Sequence, residues 1–242
     1  MADNSSGQTA TARPQREEIR AMFDDIAPTY DFLNSFLSLW IHKRWKRKLV
    51  RAMKPYAPGQ ILDLATGTGD LAILEATLMP EQVTAIDLSA GMLNVARKKV
   101  AGKKAEKFIT FMQADALDLP FHDHQFDAAT IGFGIRNFEN PLAGLKEIRR
   151  VLKPGGVLLI LEFSQPNKGW TARLFNFYFR SILPAIGRLF SRHPAAYTYL
   201  PDSVSRFPSG KVFLDLLNEA GFQETSYKSL SQGIACLYKA GR

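Results

Sequence analysis

A chain of 242 residues with 46% apolar content is long enough for one sizeable domain with a full sheet-and-helix core. Its formal charge of +8 favours anionic partners and says nothing about fold. The single cysteine, Cys236, excludes an intrachain disulfide and fits a reducing compartment, and no apolar run approaches the ~18 residues of a membrane span.

Residues 1–14 are small and polar, without the apolar core of a signal peptide, and read as a disordered tail ahead of a single domain over 15–242. Helices are expected over 15–22 and 28–37. A third, over 41–54, carries Lys43, Arg44, Lys46, Arg47, Lys48, Arg51 and Lys54 and no acid, while Ile41, Trp45, Leu49, Ala52 and Met53 recur at helical spacing. Its polar side is either a solvated face or a surface for anionic headgroups.

Pro58-Gly59 ends the helical region, and strands then alternate with helices. Strand 60–65 leads through Thr66-Gly67-Thr68-Gly69-Asp70 into a helix, followed by strand 82–87, helix 90–100 and strands 107–113 and 126–131. Helix 141–152 is stopped by Lys153-Pro154-Gly155-Gly156 before strand 157–163. This order implies an α/β fold, a parallel sheet covered by helices on both faces. Beyond Phe163 the alternation stops. Residues 167–200 are rich in arginine and aromatics, among them Trp170, Phe175, Phe177, Tyr178, Phe179, Phe190, Tyr197 and Tyr199, with no acid between Gln165 and Arg192. They read as a helical lid insertion. A last helix over 210–220 stops at Gly221, and strands 222–229 and 233–239 close the sheet.

The chemistry concentrates at strand ends. Strand, glycine turn and helix start over 61–70 form a cofactor motif, in which Asp63, Gly67 and Gly69 are assigned to the site. Asp87, about twenty residues on, stands where a carboxylate accepts ribose hydroxyls. Gly67-Thr68-Gly69-Asp70-Leu71-Ala72 also fits a looser dinucleotide fingerprint, leaving a nicotinamide-dependent dehydrogenase as a rival. Asp70 tilts the choice, because a carboxylate there repels a diphosphate. Asp115, ending the third strand, is placed to take an adenine amino group. Acidic surroundings suit a sulfonium cation. The histidines lack metal spacing apart from the weak pair His122 and His124, so no metal is expected.

Several segments carry a likeness: 22–31 (Met-Phe-Asp-Asp-Ile-Ala-Pro-Thr-Tyr-Asp), 37–45 (Leu-Ser-Leu-Trp-Ile-His-Lys-Arg-Trp), Phe133-Gly134-Ile135-Arg136-Asn137, Leu161-Glu162-Phe163-Ser164 and Tyr197-Thr198-Tyr199-Leu200. With these the chain resembles the C-methyltransferases of menaquinone and ubiquinone biosynthesis, of demethylmenaquinone methyltransferase type, within the class I S-adenosylmethionine-dependent group. The likeness implies a Rossmann-like, mostly parallel seven-stranded sheet with helices on both faces, N-terminal helices and an insertion after the fifth strand. It implies cofactor contacts at Thr68, Asp87, Asp115 and Ala116. Many relatives have Asn at position 115, and some place a cofactor-binding Ser where this chain has Gly132.

The implied reaction is methyl transfer from S-adenosylmethionine to a ring carbon of a lipid-tailed quinol. Demethylmenaquinol is the leading substrate and a benzoquinol the alternative. Arg136 is the main candidate for stabilising a phenolate or holding a water that removes its proton, with Asn137 orienting it and Tyr30 and Tyr199 facing substrate. A polyprenyl tail implies a membrane surface as partner, hence a cytoplasmic enzyme peripherally bound to the inner face. No nucleic acid is expected, since the chain after Ile131 lacks the Asp/Asn-Pro-Pro-aromatic run of many amino-group methyltransferases. A homodimer and a non-catalytic scaffold of the same fold stay open.

Overall fold

The computed structural model describes residues 12–38, 40–166, 173, 177 and 195–242. The tail expected over 1–14 lies outside the described residues except for 12–14, and the insertion expected over 167–200 except for 173, 177 and 195–200.

Seven strands form one sheet in the order β3-β2-β1-β4-β5-β7-β6. The parallel part comprises β1 (Gln60–Leu64), β2 (Gln82–Asp87), β3 (Ile109–Gln113), β4 (Phe126–Gly132) and β5 (Leu152–Phe163). β6 (Gln223–Leu230) and β7 (Ala235–Gly241) are antiparallel, with β7 inserted between β5 and β6. Strand order reverses between β1 and β4, and beyond the carboxyl ends of the strands at such a reversal is the usual place for a ligand.

The central strands read as nearly unbroken apolar runs because both faces are covered. Alternation sorts their side chains: Leu62, Leu64, Ala129, Ile131, Leu158 and Ile160 share one core, and Ile61, Ala128, Val157, Leu159 and Leu161 share the other. The first core is roofed by α6 (Pro141–Val151) and α8 (Lys211–Glu219) through Leu145, Ile148, Phe213 and Leu217. The second lies under α3 (Ile41–Met53) and α4 (Asp70–Glu75) through Trp45, Leu49, Met53, Leu71 and Ala72. Caps fix the helix starts. Asn140 accepts the Ala143 amide at 3.0 Å with Pro141 in the first turn of α6, and Ser89 accepts the Met92 amide at 3.0 Å to open α5 (Ala90–Val100).

Boundaries differ from expectation at several places, β7 among them, which spans Ala235–Gly241 rather than 233–239. α1 spans Ala12–Ile26, beginning earlier and ending later than 15–22, and α2 spans Tyr30–Leu37 rather than 28–37. β3 starts at Ile109 because Glu106–Phe108 forms a 3-10 turn. Residues 153–156 do more than stop α6. β5 has already paired Leu152 with Phe126 before them and resumes at Val157 opposite Ala128, so they bulge out of the strand. Pro154, which has no amide to donate, and Gly155, at φ 79°, make that excursion. α7 (Ala195–Arg206) follows the undescribed insertion.

Candidate functional site

β1 delivers the chain to a turn in which Ala65, Gly67 and Gly69 all have left-handed backbones, at φ 51°, 58° and 78°. Only glycine adopts these at no steric cost. At Gly69 a Cβ would also stand 3.1 Å from Ala96 and from the Phe111 ring, so α5 and β3 close the space. Asp87, the last residue of β2, accepts the Gly67 amide at 2.8 Å and the Ser89 amide at 2.9 Å, one on each oxygen. These bonds fix the carboxylate plane and leave each oxygen a lone pair for a ligand. Burial raises its pKa, and the Ser89 and Gly67 amides oppose that rise. The Ala114 amide donates to the Asp87 carbonyl at 3.2 Å, which brings Asp115 and Ala116 to the same rim. Asp115 accepts the Leu117 amide at 3.0 Å.

Two assigned cofactor residues turn elsewhere. Asp63 is fully buried behind the turn, accepting the Thr66 hydroxyl at 2.6 Å and facing the Thr130 hydroxyl at 3.2 Å. It holds the turn from behind and offers no surface to a ligand. Thr68 is also buried, and its hydroxyl donates to Asp31 at 2.5 Å and accepts from Lys99 at 2.9 Å. The side chain is thus committed to the N-terminal helices.

Those helices are tied down by charges that sequence reasoning passed over. Asp24 of α1 accepts the Ser89 hydroxyl at 2.6 Å and the Gly91 amide at 2.8 Å, at the start of α5. Lys99 bridges Asp31 of α2 to Asp70, the latter at 2.8 Å, and Lys46 of α3 reaches Asp70 at 3.3 Å. Burial pushes Asp70 up, but Lys46 and Lys99 outweigh it and bring its pKa down to about 2. Asp70 therefore stays ionised beside the turn, which disfavours a diphosphate. Acidic groups with free lone pairs fit a sulfonium-bearing nucleoside instead. The signal in the sequence was Asp24 and Asp31 themselves, acids lying seven residues apart within the segment 22–31.

A second cluster forms beyond β4 and β5. A Cβ on Gly134 would lie 2.5 Å from that of Ala65, so only glycine lets the Phe133–Asn137 loop touch the cofactor turn. Arg136 is buried there. Its Nη1 donates to the Glu162 Oε1 at 2.8 Å and to the Phe133 carbonyl, its amide reaches the other Glu162 oxygen at 3.3 Å, and its guanidinium lies 5.5 Å from the Phe163 ring centroid. Its Nε is buried without a hydrogen-bond partner among the described residues. Asn137 accepts the Tyr199 hydroxyl at 2.9 Å, joining α7 to this loop. Burial raises the Tyr199 pKa against the pull of Arg136, so it remains a phenol at neutral pH. The Tyr30 ring lies 3.9 Å from where a Gly67 Cβ would be and edge-on to Phe23.

Glu162 and Glu75 are two further carboxylates whose roles were overlooked. Each interrupts an otherwise apolar run, and a buried charge without a partner is too costly to keep, so the interruption itself was the signal. Among the described residues no group of three metal-ligating side chains occurs.

The sequence matches the model of the ubiE/COQ5 methyltransferase family over residues 10–242. It is 44% identical to a demethylmenaquinone methyltransferase of Bacteroides fragilis over 225 residues, covering 93% of this chain and 92% of that one. It is 48% identical to a ubiquinone/menaquinone biosynthesis C-methyltransferase UbiE of Geotalea daltonii, covering 92% and 95%. In fold it is similar to a SAM-dependent methyltransferase of Thermotoga maritima, with a TM-score of 0.64 at 19% identity over 92% of this chain and 98% of that one. The chain therefore belongs to the ubiE/COQ5 methyltransferase family and is an S-adenosylmethionine-dependent C-methyltransferase.

Proposed function

We propose that the chain methylates a ring carbon of a polyprenylated quinol, with demethylmenaquinol as substrate and menaquinol as product. The observation that carries this reading is the loop of Arg136 and Asn137, bonded to Tyr199 and packed at Gly134 against the cofactor turn, with a buried donor, the Arg136 Nε, lacking an acceptor among the described residues. The relatives named for both quinone pathways favour benzoquinol methylation as the second reading.

The bound donor supplies an electrophilic methyl group on a sulfonium. Asp87 and the turn over 65–69 hold its nucleoside, with Asp115 and Ala116 at the adenine end. A quinol becomes a carbon nucleophile when one phenol loses its proton and the charge spreads to the ortho carbon. The Arg136 guanidinium, always protonated, stabilises that phenolate and holds a water that takes the proton. The ring carbon would bond the methyl group as the carbon–sulfur bond breaks, and loss of the ring proton to water would restore the aromatic ring. Asn137, fixed by Tyr199, keeps the loop in register, and Tyr30 closes the site from the side of the turn. A polyprenyl tail is insoluble in water, so the enzyme meets its substrate at a bilayer. No nucleic acid takes part. Among the described residues no helix is long and apolar enough to cross a membrane.

The test is incubation with methyl-labelled S-adenosylmethionine and the two reduced demethylated quinols, followed by product mass. A gain of one labelled methyl on the naphthoquinol is expected. Transfer only to the benzoquinol selects the second reading, and transfer to neither overturns both.

A further inference from the structure

α3 has two unlike sides. The inward one carries His42, Trp45, Leu49, Val50 and Met53, all buried. The outward one carries Lys43, Arg44, Arg47, Lys48 and Arg51, continued by Lys54, all exposed. At 3.6 residues per turn these six cations fall within about 140° of arc. None of them is in an ion pair among the described residues; the one ion pair that α3 makes there belongs to Lys46, on the flank, with Asp70. Trp40 precedes the helix and is held at φ 59°, and its side chain is 56% exposed. By helical spacing it leads the same face, one turn before Lys43 and Arg44. A large exposed indole within a field of unpaired cations is the composition of a surface that seats in a headgroup layer, where the ring lies at the interface and lysine and arginine stems reach the phosphates.

The inward side leads to the reaction. The Trp45 ring lies 6.2 Å from Phe133 and 6.3 Å from Phe163, and Phe163 is the ring beneath the Arg136 guanidinium. The width of one helix, roughly 10 Å, therefore separates the basic face from the catalytic loop. We infer that the outer face of α3, led by Trp40, docks the enzyme on anionic lipid headgroups and sets the site's mouth against the bilayer that holds the substrate. This rests on the lipid-tailed substrate proposed above. Charge alone also fits a nucleic acid, but only a bilayer both satisfies the cations and delivers a lipid-tailed substrate to the other side of the same helix.

The experiment is flotation of the full chain with vesicles of equal parts phosphatidylglycerol and phosphatidylcholine, and with phosphatidylcholine alone, at low and raised salt. Binding to the anionic vesicles only, weakened by salt, is expected. The variant K43E/R47E/R51E loses at least about tenfold in vesicle affinity, since each cation removed near an anionic surface weakens binding several-fold. It keeps wild-type turnover on a short-tailed, water-soluble quinol. Trp40→Ala weakens binding without changing its salt dependence. If the charge-reversed protein does not fold, K43Q/R47Q/R51Q gives the same comparison in milder form. Equal flotation of variant and wild type overturns the assignment while leaving a membrane-acting enzyme intact. Wild type that ignores both vesicles, or that prefers single-stranded RNA to anionic vesicles, overturns it as well. Salt-sensitive flotation lost in the variant, in a protein that methylates neither quinol, upholds the surface and removes the substrate reading instead.

Discussion

Two buried polar clusters stand at the ends of neighbouring strands, on opposite faces of the sheet, and are held together in opposite ways. On the α3/α4 side, Asp63, Glu75 and Thr130 form a pair of acids bridged by one hydroxyl, with Thr130 2.7 Å from Glu75 and 3.2 Å from Asp63. On the other side, Glu162 faces Arg136. Opposite charges hold one cluster and a retained proton holds the other. Burial raises Asp63 to about 7 and pushes Glu75 well above its ordinary range, further still because Asp63 lies beside it. A protonated Glu75 donates to Thr130, which donates to Asp63, which also takes the Thr66 hydroxyl. That chain points every hydrogen toward the cofactor turn and keeps a single negative charge behind it. The ion pair, by contrast, keeps two full charges out of water, in the loop packed against the cofactor turn, where the proposed mechanism puts the phenolate.

The largest effect tests the ion pair. Glu162→Ala leaves a buried guanidinium without its counter-charge, a change that costs about 3–5 kcal/mol. A large drop in denaturant midpoint is expected, together with loss of turnover. Glu162→Gln keeps one acceptor and falls between the two. Arg136→Ala lowers turnover about 10²–10³-fold, the scale for removing a preorganised electrostatic contact, while calorimetry shows S-adenosylhomocysteine bound nearly as before. A folded Arg136→Ala enzyme with ordinary turnover would remove that residue from the chemistry and reduce the cluster to scaffolding.

The second effect tests the acid pair, through pH. Asp63 and Glu75 bind protons more tightly folded than unfolded, so their contribution is fully present below about pH 4, the ordinary carboxylate range. It is lost as pH rises through the folded values, Asp63 near about 7 first. Glu75→Gln supplies an amide donor to Thr130 without a proton to lose. Its stability should match wild type within about 0.5 kcal/mol in mild acid and exceed it in alkali, with a flatter profile by thermal or denaturant unfolding. If the two profiles run parallel across the alkaline range, no retained proton joins the acids.

The fold was legible because it rests on periodicity. Strand 82–87 and helix 90–100 appear at the expected bounds, since a run with three β-branched residues in six and a serine-capped amphipathic segment each satisfy local rules. The bulge at Lys153–Gly156 was not, because the same proline and glycines that end a helix also break a strand, and only the pairing of Leu152 with Phe126 separates the two. At the site, Asp87 and the glycines were legible from their spacing at strand ends. The N-terminal clamp was not. Lys99 follows Asp31 by sixty-eight positions, and no local pattern reveals that two helices cross the turn and meet there. Asp63 was assigned to the site along with the glycine motif, yet its position two residues after Ile61 places it on the inner face under α4.

The smallest effect sharpens the comparison by showing that partners, and not location, decide the charge. Asp70 begins α4 beside the same turn that Asp63 supports from behind, and it too is driven upward by burial, yet Lys46 and Lys99 bring it to about 2. Its folded value lies below its unfolded one, so its contribution is complete above about pH 4, the unfolded value, and disappears as pH falls toward about 2. Asp70→Asn should cost about 1 kcal/mol at neutral pH, as expected for a partly screened pair, and the two proteins should converge in strong acid. Lys99→Met removes one of its two cations and also frees Asp31 and Thr68, so it should loosen α2 as well. That would register as faster amide exchange over residues 30–37 than in Asp70→Asn. Equal exchange in the two variants would mean that Lys99 serves Asp70 alone and that the N-terminal helices are held down by Asp24.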